Sequence, residues 1–391
     1  MTELSILHIF RAPVGGLFRH VVDLAEEQAS LGHAVGLVCD SGTGGDRAEA
    51  RLAELAPKLR LGVERLAMPR LPGPGDLPVL AALSRRARAI RPDVLHGHGA
   101  KGGLYARLAR APAAVRVYTP HGGSFHYSPG TPQGLLYLAC ERVLAWRTDL
   151  FLFESEFIAQ KARERLGPHL PSRVNPNGLR HEEFLPVTPA TAAADLLFVG
   201  ELRDLKGLDT LFEALDQLRR QGQRVSLLVV GAGPDEAALK ARAAKLDSVT
   251  FAPPMPMREA LAKGRVLVVP SRMESLPYAV LEAAAAGHPL IATKVGGLPE
   301  IFGPLAHRLI APNDPAGLAE AISAMRDRPG AQRVAETVRL REHVRTHFAI
   351  EKMAETALRG YAEALVERSG DGSASVASPL PEVSSSSPAQ P

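Results

Sequence analysis

Cysteine is nearly absent from this chain of 391 residues, which contains only Cys39 and Cys140. Two cysteines cannot supply a four-ligand zinc site or a disulfide framework, so the composition favours a reducing compartment. The first ten residues lack the basic start and the small-residue cleavage site of a signal peptide. No apolar run reaches the roughly 18 residues of a membrane-spanning helix. We therefore expect a cytoplasmic protein without a membrane span.

Aromatic residues are also scarce, at 5% of the chain, and the charged residues are unevenly distributed. Residues 1–180 carry 23 Lys and Arg against 16 Asp and Glu, a net charge of +7, whereas residues 181–391 carry 23 against 26. No aromatic side chains are interleaved with the basic ones as base stacking requires, so we expect no nucleic-acid partner. A basic face on an anionic membrane surface fits this charge, and so does an ordinary solvated surface.

Short apolar segments alternate with helical patterns in both halves of the chain. The predicted strands are 4–10, 34–39, 93–96 and 115–119 in the first half and 196–200, 225–231, 249–252, 265–270 and 289–293 in the second. Such alternation is typical of parallel sheets with helices on both faces, an α/β architecture. Two doubly wound lobes of this kind would bind a ligand in the cleft between them.

Turn-forming residues at 174–189 indicate the connection between the two halves. We predict one lobe over residues 1–180, a second over 181–345 and a final helix over 346–368. Segment 369–391 is rich in Ser and Pro and has little apolar surface to bury, so we expect it to be disordered.

Two glutamates flank the start of a predicted helix in the second half. Glu274 lies in the loop after an apolar strand, and Glu282 lies about one and a half turns into a helix that starts near Pro277. Both carboxylates can reach one ligand over the helix N-terminus, whose free N–H groups suit a diphosphate. Carboxylates there suit the hydroxyl groups of a sugar. The alternative is that Glu282 is an ordinary residue of the helix surface.

These glutamates, the Ala-Ala-Ala-Ala-Gly-His-Pro run at 283–289 and the Val-Gly-Gly-Leu-Pro-Glu-Ile run at 295–301 resemble the retaining glycosyltransferases of family 4. The resemblance is densest over 196–302 and does not cover the tail. It implies the GT-B fold, in which two Rossmann-like lobes face a cleft and the C-terminal lobe binds a nucleotide sugar. It also implies that helix 346–368 crosses back to the first lobe.

The resemblance assigns the catalytic residues of the second lobe. It implies that Glu274 holds the donor sugar, that Glu282 holds the ribose hydroxyls and that Lys206 neutralises the leaving diphosphate. The family arginine is replaced here by Glu201, and Arg203 could supply the missing guanidinium. An exposed structural role is the alternative for Arg203.

The resemblance also assigns donor-binding loops on both sides of the cleft. Pro277 has no N–H to donate, so backbone donors are expected at Leu276 and Tyr278 instead. His121 follows a strand and resembles the family histidine that faces the donor sugar, although a lone histidine is more often structural. The donor-binding glycines implied by the resemblance are Gly15 and Gly16 in the first lobe and Gly231 and Gly233 in the second.

A further strand end carries His96, His98 and Lys101. Two histidines can bind a metal, but the sequence shows no third ligand and no carboxylate partner. We therefore expect these residues to contact the acceptor, with loop packing as the alternative, and we expect no metal.

The predicted reaction transfers a sugar from a UDP- or GDP-sugar to an acceptor hydroxyl with retention of configuration and without a metal or other cofactor. The expected acceptor is a glycan or a lipid-linked glycan of bacterial polysaccharide, lipopolysaccharide or glycolipid biosynthesis, reached at the inner membrane face. Two alternatives remain open. One is a nucleotide-sugar 2-epimerase of the same architecture. The other is a non-catalytic glycosyltransferase-like subunit, which the replacement of the family arginine by Glu201 suggests.

Overall fold

The computed structural model describes residues 2–127 and 130–370, which form two parallel β-sheets covered by helices. The first sheet contains β1 (Ser5–Phe10), β2 (Ala34–Asp40), β3 (Val63–Leu66), β4 (Val94–His98), β5 (Val115–Thr119), β6 (Leu150–Phe153) and β7 (Ser172–Val174). The second sheet contains β8 (Ala194–Val199), β9 (Leu227–Val230), β10 (Val249–Ala252), β11 (Gly264–Val269) and β12 (Leu290–Ala292).

The helices lie between the strands along the chain. In the first lobe they are α1 (Gly15–Ser30), α2 (Gly45–Leu55), α3 (Asp76–Ile90), α4 (Gly99–Leu108), α5 (Pro132–Ala145) and α6 (Glu156–Leu166). The later helices are α7 (Leu208–Arg220), α8 (Glu236–Ala243), α9 (Met257–Ala262), α10 (Tyr278–Ala285), α11 (Leu298–Phe302), α12 (Pro315–Asp327), α13 (Gly330–His347) and α14 (Ile350–Ser369). Short 3₁₀ helices occupy Ala56–Lys58, Gly123–His126, His181–Phe184, Asp204–Lys206 and Gly303–Arg308.

Both sheets have the strand order of a doubly wound fold. The first runs β3-β2-β1-β4-β5-β6-β7 and the second β10-β9-β8-β11-β12, and all neighbouring strands are parallel. The order reverses between β1 and β4 and again between β8 and β11, so each sheet has a switch point where ligands bind beyond the carboxyl ends of the strands. The predicted α/β fold with two Rossmann-like lobes is thereby confirmed.

The last helix belongs to the core of the first lobe. Its apolar residues recur every three or four positions, which places them on one face. Met353, Leu358 and Tyr361 are fully or almost fully buried and pack in the same cluster as Ile6 and Val21 of β1 and α1. The helix begins at Ile350, later than the predicted 346, and Ser369 is its last residue. Residues 371–391 lie outside the described residues, so disorder of the tail stays a prediction.

The chain crosses between the lobes twice at one place. Leu179 donates its N–H to the Phe348 carbonyl at 2.8 Å, and Ile350 donates to the Leu179 carbonyl at 2.9 Å. Gly178 lies at this crossing, where a Cβ atom would come within 2.7 Å of the Ile350 Cα atom. This pairing interrupts the helical pattern before Ile350 and explains why α13 and α14 are separate helices.

We predict that Leu358→Ala destabilises the first lobe. Leu358 has no exposed surface, and truncation of such a side chain costs about 2–5 kcal/mol in lost burial and an unfilled cavity. Urea unfolding followed by far-UV circular dichroism measures the loss. The matched control is Lys352→Ala on the exposed face of the same helix, which should change the free energy of unfolding by no more than about 0.5 kcal/mol. Equal stability of the two variants would contradict the packing described here.

Candidate active site between the lobes

The two switch points place polar loops opposite each other. In the first sheet, β1 leads to the glycines that begin α1 and β4 ends at His98. In the second sheet, β8 leads to the loop that carries Lys206, and β11 leads to the loop that carries Glu274. Because ligands of doubly wound sheets bind beyond these strand ends, the facing loops form the candidate active site.

Lys206 and Glu274 are in direct contact. Lys206 Nζ donates to Glu274 Oε1 at 2.7 Å, and Ser271 Oγ donates to the same oxygen at 2.7 Å. The Glu274 residue is 9% exposed, whereas a quarter of the Lys206 side chain is exposed. The structure therefore brings together one acidic and one basic side chain, 68 residues apart in the sequence, as expected for a site that binds an anion beside a sugar.

The loop after β8, which carries Lys206, and the loop after β11, which carries Glu274, are in close backbone contact. Gly207 has a φ angle of 68°, and a Cβ atom there would collide with the Pro270 carbonyl. Arg272 donates its backbone N–H to the Leu205 carbonyl at 2.9 Å, and its guanidinium bonds Asp209 Oδ2 at 2.5 Å. These contacts fix the distance between the strand ends and so the position of the Lys206–Glu274 pair.

Glu282 points toward the first lobe. It forms an ion pair with Arg19 of α1, which also pairs with Glu183. The Arg19 guanidinium lies 4.1 Å from the centre of the Tyr278 ring. Burial alone would lower the pKa of Arg19, but the Glu183 carboxylate holds it above its usual value. Sequence reasoning missed Arg19, because nothing local connects a residue of α1 with one 263 positions later.

The start of α10 lies against the start of α1. Pro277 precedes α10, and within the part of the chain that the structure describes no side chain caps that end. The first N–H groups of α10 are therefore available to an anion. A Cβ atom at Gly16 would lie 3.6 Å from Tyr278 Cδ2, and Gly15 begins α1 with a φ angle of 63°. Burial raises the pKa of the Tyr278 hydroxyl. Leu276 is buried, and its carbonyl accepts from Asn177 Nδ2 at 2.7 Å. The predicted donor-binding residues of the two lobes thus meet here.

Gly231 and Gly233 support the loop after β8. A Cβ atom at Gly231 would collide with the Gly200 carbonyl, and one at Gly233 would collide with the Leu202 carbonyl. Their demonstrable role is close packing against the Lys206 loop.

Arg203 is not brought to the Lys206–Glu274 pair in this structure. About half of its side chain is exposed, and its ion-pair partner, at 3.4 Å, is Glu201, the residue that replaces the family arginine.

His121 belongs to a cluster of five histidines with His8, His20, His96 and His98. His121 Nε2 lies 3.2 Å from His98 Nδ1, and His98 Nε2 lies 2.9 Å from His8 Nδ1. Burial lowers the pKa of His121 and of His98 well below its usual value, so both rings are neutral at pH 7. Sequence reasoning missed His8 and His20; a polar residue inside the apolar strand 4–10 is a signal that it has a buried partner.

Two of the three predicted acceptor contacts do not face the cleft freely. His96 is fully buried, with its ring nitrogens 2.7 Å from the Tyr361 hydroxyl and 2.8 Å from Thr119 Oγ1, so it binds α14 to the sheet and cannot reach an acceptor. His98 is 1% exposed and is bonded within the histidine cluster. Lys101 donates to Asp76 Oδ1 at 2.6 Å and borders a first-lobe cavity of about 550 Å³.

Carboxylates of both lobes hold the lobes in contact. Glu300 accepts the backbone N–H of Glu156 at 2.9 Å and of Phe157 at 3.0 Å, so it caps the start of α6 from the other lobe. Glu154 accepts from Ser275 Oγ at 2.6 Å. Burial raises the pKa of the Glu154 carboxyl, and the Ser275 hydrogen bond opposes that shift. Sequence reasoning missed Glu154.

Comparison with known proteins identifies the family of the chain. The model of the family "Glycosyl transferases group 1" matches residues 193–327, and the model "Glycosyl transferase 4-like domain" matches residues 15–178. Glycogen synthase of Mycobacterium tuberculosis is 30% identical over 361 residues, which cover 84% of this chain and 86% of that protein. The chain belongs to the group 1 glycosyltransferases.

A second relative supports this family assignment, and a solved structure supports the fold of this glycosyltransferase. D-inositol 3-phosphate glycosyltransferase of Acidothermus cellulolyticus is 31% identical over 401 residues, covering 90% of this chain and 87% of that protein. The crystal structure of Anabaena HepE in complex with UDP-glucose superposes with a TM-score of 0.74 at 19% identity, covering 93% of this chain and all of that one. Within residues 2–127 and 130–370, no helix combines the length and the apolar composition that crossing a membrane requires.

We predict that Asn177→Ala destabilises the contact between the lobes. Asn177 accepts from His20 Nδ1 at 2.9 Å and donates to the Leu276 carbonyl at 2.7 Å, and each buried group left without a partner costs about 1–3 kcal/mol. Asn175 is a matched control, because it is equally buried while its side-chain amide has no hydrogen-bond partner among the described residues. Chemical denaturation should show a loss at least about 1 kcal/mol larger for Asn177→Ala. A loss as large for Asn175→Ala would refute this account of the lobe contact.

Proposed function

We propose that this glycosyltransferase moves a sugar from a UDP- or GDP-sugar to an acceptor hydroxyl with retention of anomeric configuration, as the likeness to family 4 implies. The observation that carries the proposal is the contact of Lys206 with Glu274 at the carboxyl ends of β8 and β11, facing the histidine-bearing edge of the first sheet. The complex of HepE with UDP-glucose supports a nucleotide sugar as the donor.

The main catalytic effect in this proposal is stabilisation of the departing diphosphate. Negative charge grows on the phosphate oxygens as the bond to the anomeric carbon breaks, and preorganised cations and N–H donors stabilise that charge. Lys206 supplies the cation, the first N–H groups of α10 supply donors, and Arg203 joins them if its loop turns inward. These groups do the work without a metal cofactor.

The carboxylates hold the two sugars of the donor. Glu274 is held by Ser271 and Lys206 at the edge of the pocket, where it can accept hydroxyl groups of the transferred sugar. Glu282 binds the ribose hydroxyls after it leaves Arg19. Attack then occurs on the face that the diphosphate leaves, and the leaving phosphate takes the acceptor proton. His121 faces the transferred sugar from the first lobe.

The acceptor is proposed to be a glycan or lipid-linked glycan of a bacterial polysaccharide, lipopolysaccharide or glycolipid pathway, bound by the first lobe. The cavity beside Lys101 has apolar walls that include Leu71, Leu104 and Leu144. Nearby, α5 and the two residues after it expose apolar side chains next to basic ones, which suits the surface of an anionic membrane. This face includes Leu135, Leu136, Arg142 and Val143 of α5 and the following Trp146 and Arg147. The proposed location is therefore the cytoplasmic face of the inner membrane.

We predict that Lys206→Ala lowers the rate of nucleoside diphosphate release by roughly 10²–10³, the effect of removing one preorganised charge-stabilising group. Glu274→Gln should lower it too, because a neutral amide accepts the hydroxyl groups of the transferred sugar less strongly than a carboxylate does. The release is measured with a panel of UDP- and GDP-sugars and candidate acceptors. Lys240→Ala is the control, since Lys240 pairs with Glu236 on the exposed surface of the same lobe, and it should retain the wild-type rate.

Equal rates in wild type and both variants would contradict the proposed site. A wild-type rate no higher than that of a sample without protein would favour a non-catalytic subunit. The 2-epimerase alternative is tested in the same samples without acceptor. If NMR shows that the donor sugar is converted to its epimer without an acceptor, the protein is a 2-epimerase and not a sugar transferase.

A further inference from the structure

Three histidines from different elements converge at the cleft edge of the first lobe. His20 is on α1, His98 ends β4, and His121 follows β5. One ring nitrogen of each lies within 4.8 Å of the others. His20 and His98 are buried, and His121 is partly exposed. This histidine triad therefore has two buried side chains and one that is accessible to solvent.

The proton of His20 is placed by its neighbour. Asn177 Nδ2 must face the Leu276 carbonyl, since the reverse orientation would oppose two oxygens, so Asn177 Oδ1 faces His20 Nδ1 at 2.9 Å. His20 Nδ1 therefore carries the proton and donates it. His20 Nε2 is left as a lone pair that is buried and has no hydrogen-bond partner among the described residues. A buried acceptor without a donor is costly unless a ligand uses it.

The proton of His98 follows from a chain of hydrogen bonds. With Gln28 Nε2 oriented toward the Tyr361 hydroxyl at 3.4 Å, Gln28 Oε1 accepts from His8 Nε2 at 2.8 Å. His8 Nδ1 then accepts from His98 Nε2 at 2.9 Å. His98 Nδ1 is consequently a second lone pair, and it faces His121 Nε2 at 3.2 Å.

We infer that His20 Nε2, His98 Nδ1 and His121 Nε2 form a binding site for a transition-metal dication such as Zn²⁺. Two of these nitrogens already present lone pairs, and the third does so once the His121 proton moves from Nε2 to its other ring nitrogen. Three neutral imidazoles with one open position for water form a common zinc site. The Asn177 carbonyl supplies the outer hydrogen bond that orients a ligating histidine.

A neighbouring set of histidines does not offer the same site. His8, His96 and His98 also lie within reach of one another. Both ring nitrogens of His96, however, are engaged by the Tyr361 hydroxyl and Thr119 Oγ1. A cation there would have to break those buried bonds, whereas at His20 it satisfies an atom that lacks a partner.

A metal ion bound at this site would affect sugar transfer because it would engage His121. This consequence rests on the proposed function, in which His121 faces the donor sugar, and it predicts that the bound cation slows transfer. Binding of the metal alone requires neither donor nor acceptor, so the site can be tested even if the proposed function fails.

The test titrates Co²⁺ into the chelator-treated full-length protein and follows the visible absorption of the cation, then displaces it with Zn²⁺. We expect one equivalent with the spectrum of a tetrahedral nitrogen-bound ion. His20→Gln should weaken the affinity at least about tenfold. His347→Gln is the matched control, since His347 is exposed and its ring centre lies 4.4 Å from that of His343, a pair that offers metal a surface site outside the triad. This variant should bind as wild type does.

A second variant keeps the test decisive if His20→Gln does not fold. His121 has a φ angle of 50°, a left-handed conformation that asparagine tolerates better than most residues, so His121→Asn removes the third ligand with little backbone strain. Thermal unfolding in chelator shows that each variant is folded. Absence of Co²⁺ binding by wild type would overturn the inference. Wild-type affinity in His20→Gln or in His121→Asn would do so as well, as would loss of binding in His347→Gln alone.

Discussion

The constraint on which this structure depends is the double crossing of the chain between the lobes. Leu179 pairs with Phe348 and Ile350 by two backbone hydrogen bonds, and Gly178 allows the segments to approach. Because both crossings occur at one place, the lobes are connected beside the cleft, and the carboxyl ends of their strands face each other. Asn177, two positions before Leu179, then binds His20 of one lobe to the Leu276 carbonyl of the other. The geometry of the site therefore begins with the connection.

Each carboxylate that is proposed to bind a sugar forms an ion pair with a basic side chain in this structure. Glu274 is paired with Lys206, and Glu282 with Arg19. Separating such partly buried charges is costly if one is left alone. A nucleoside diphosphate offers compensation, because its phosphates can take the place of Glu274 beside Lys206 while its sugars supply hydroxyl groups to both carboxylates. Donor binding is thus best described as an exchange of partners, which also explains why a positive and a negative residue must lie side by side.

Local sequence patterns predicted the two-lobe α/β fold, and the resemblance to family 4 supplied part of the site. Alternating apolar segments predicted both parallel sheets, although β3, β6 and β7 were not among the predicted strands. The resemblance to family 4 assigned Lys206 and Glu274 to one site, and the structure shows that both follow strands adjacent in the second sheet. Arg19, His8 and Glu154 could not be predicted, since their partners lie in elements remote in sequence. Docking of lobes and helices determines such contacts, and a single sequence carries no local record of it.

The same reason explains the errors at the histidines. His96 and His98 stand next to an apparent loop in the sequence, which favoured contact with an acceptor, but the packing of α14 onto the first lobe places Tyr361 against His96 and closes that side. No third metal ligand was predicted near His98, because only the residues next to His98 in the sequence were considered. In the folded chain the further imidazoles come from α1 and from the loop after β5.

The central claim is that a diphosphate binds at Lys206 with a carboxylate on either side. A crystal structure of the enzyme with UDP or GDP tests it most directly. We expect the pyrophosphate oxygens within hydrogen-bond distance of Lys206 Nζ and of the first N–H groups of α10, with Glu282 turned from Arg19 to the ribose. A nucleotide bound elsewhere, with the Lys206–Glu274 and Arg19–Glu282 pairs intact, would contradict the account.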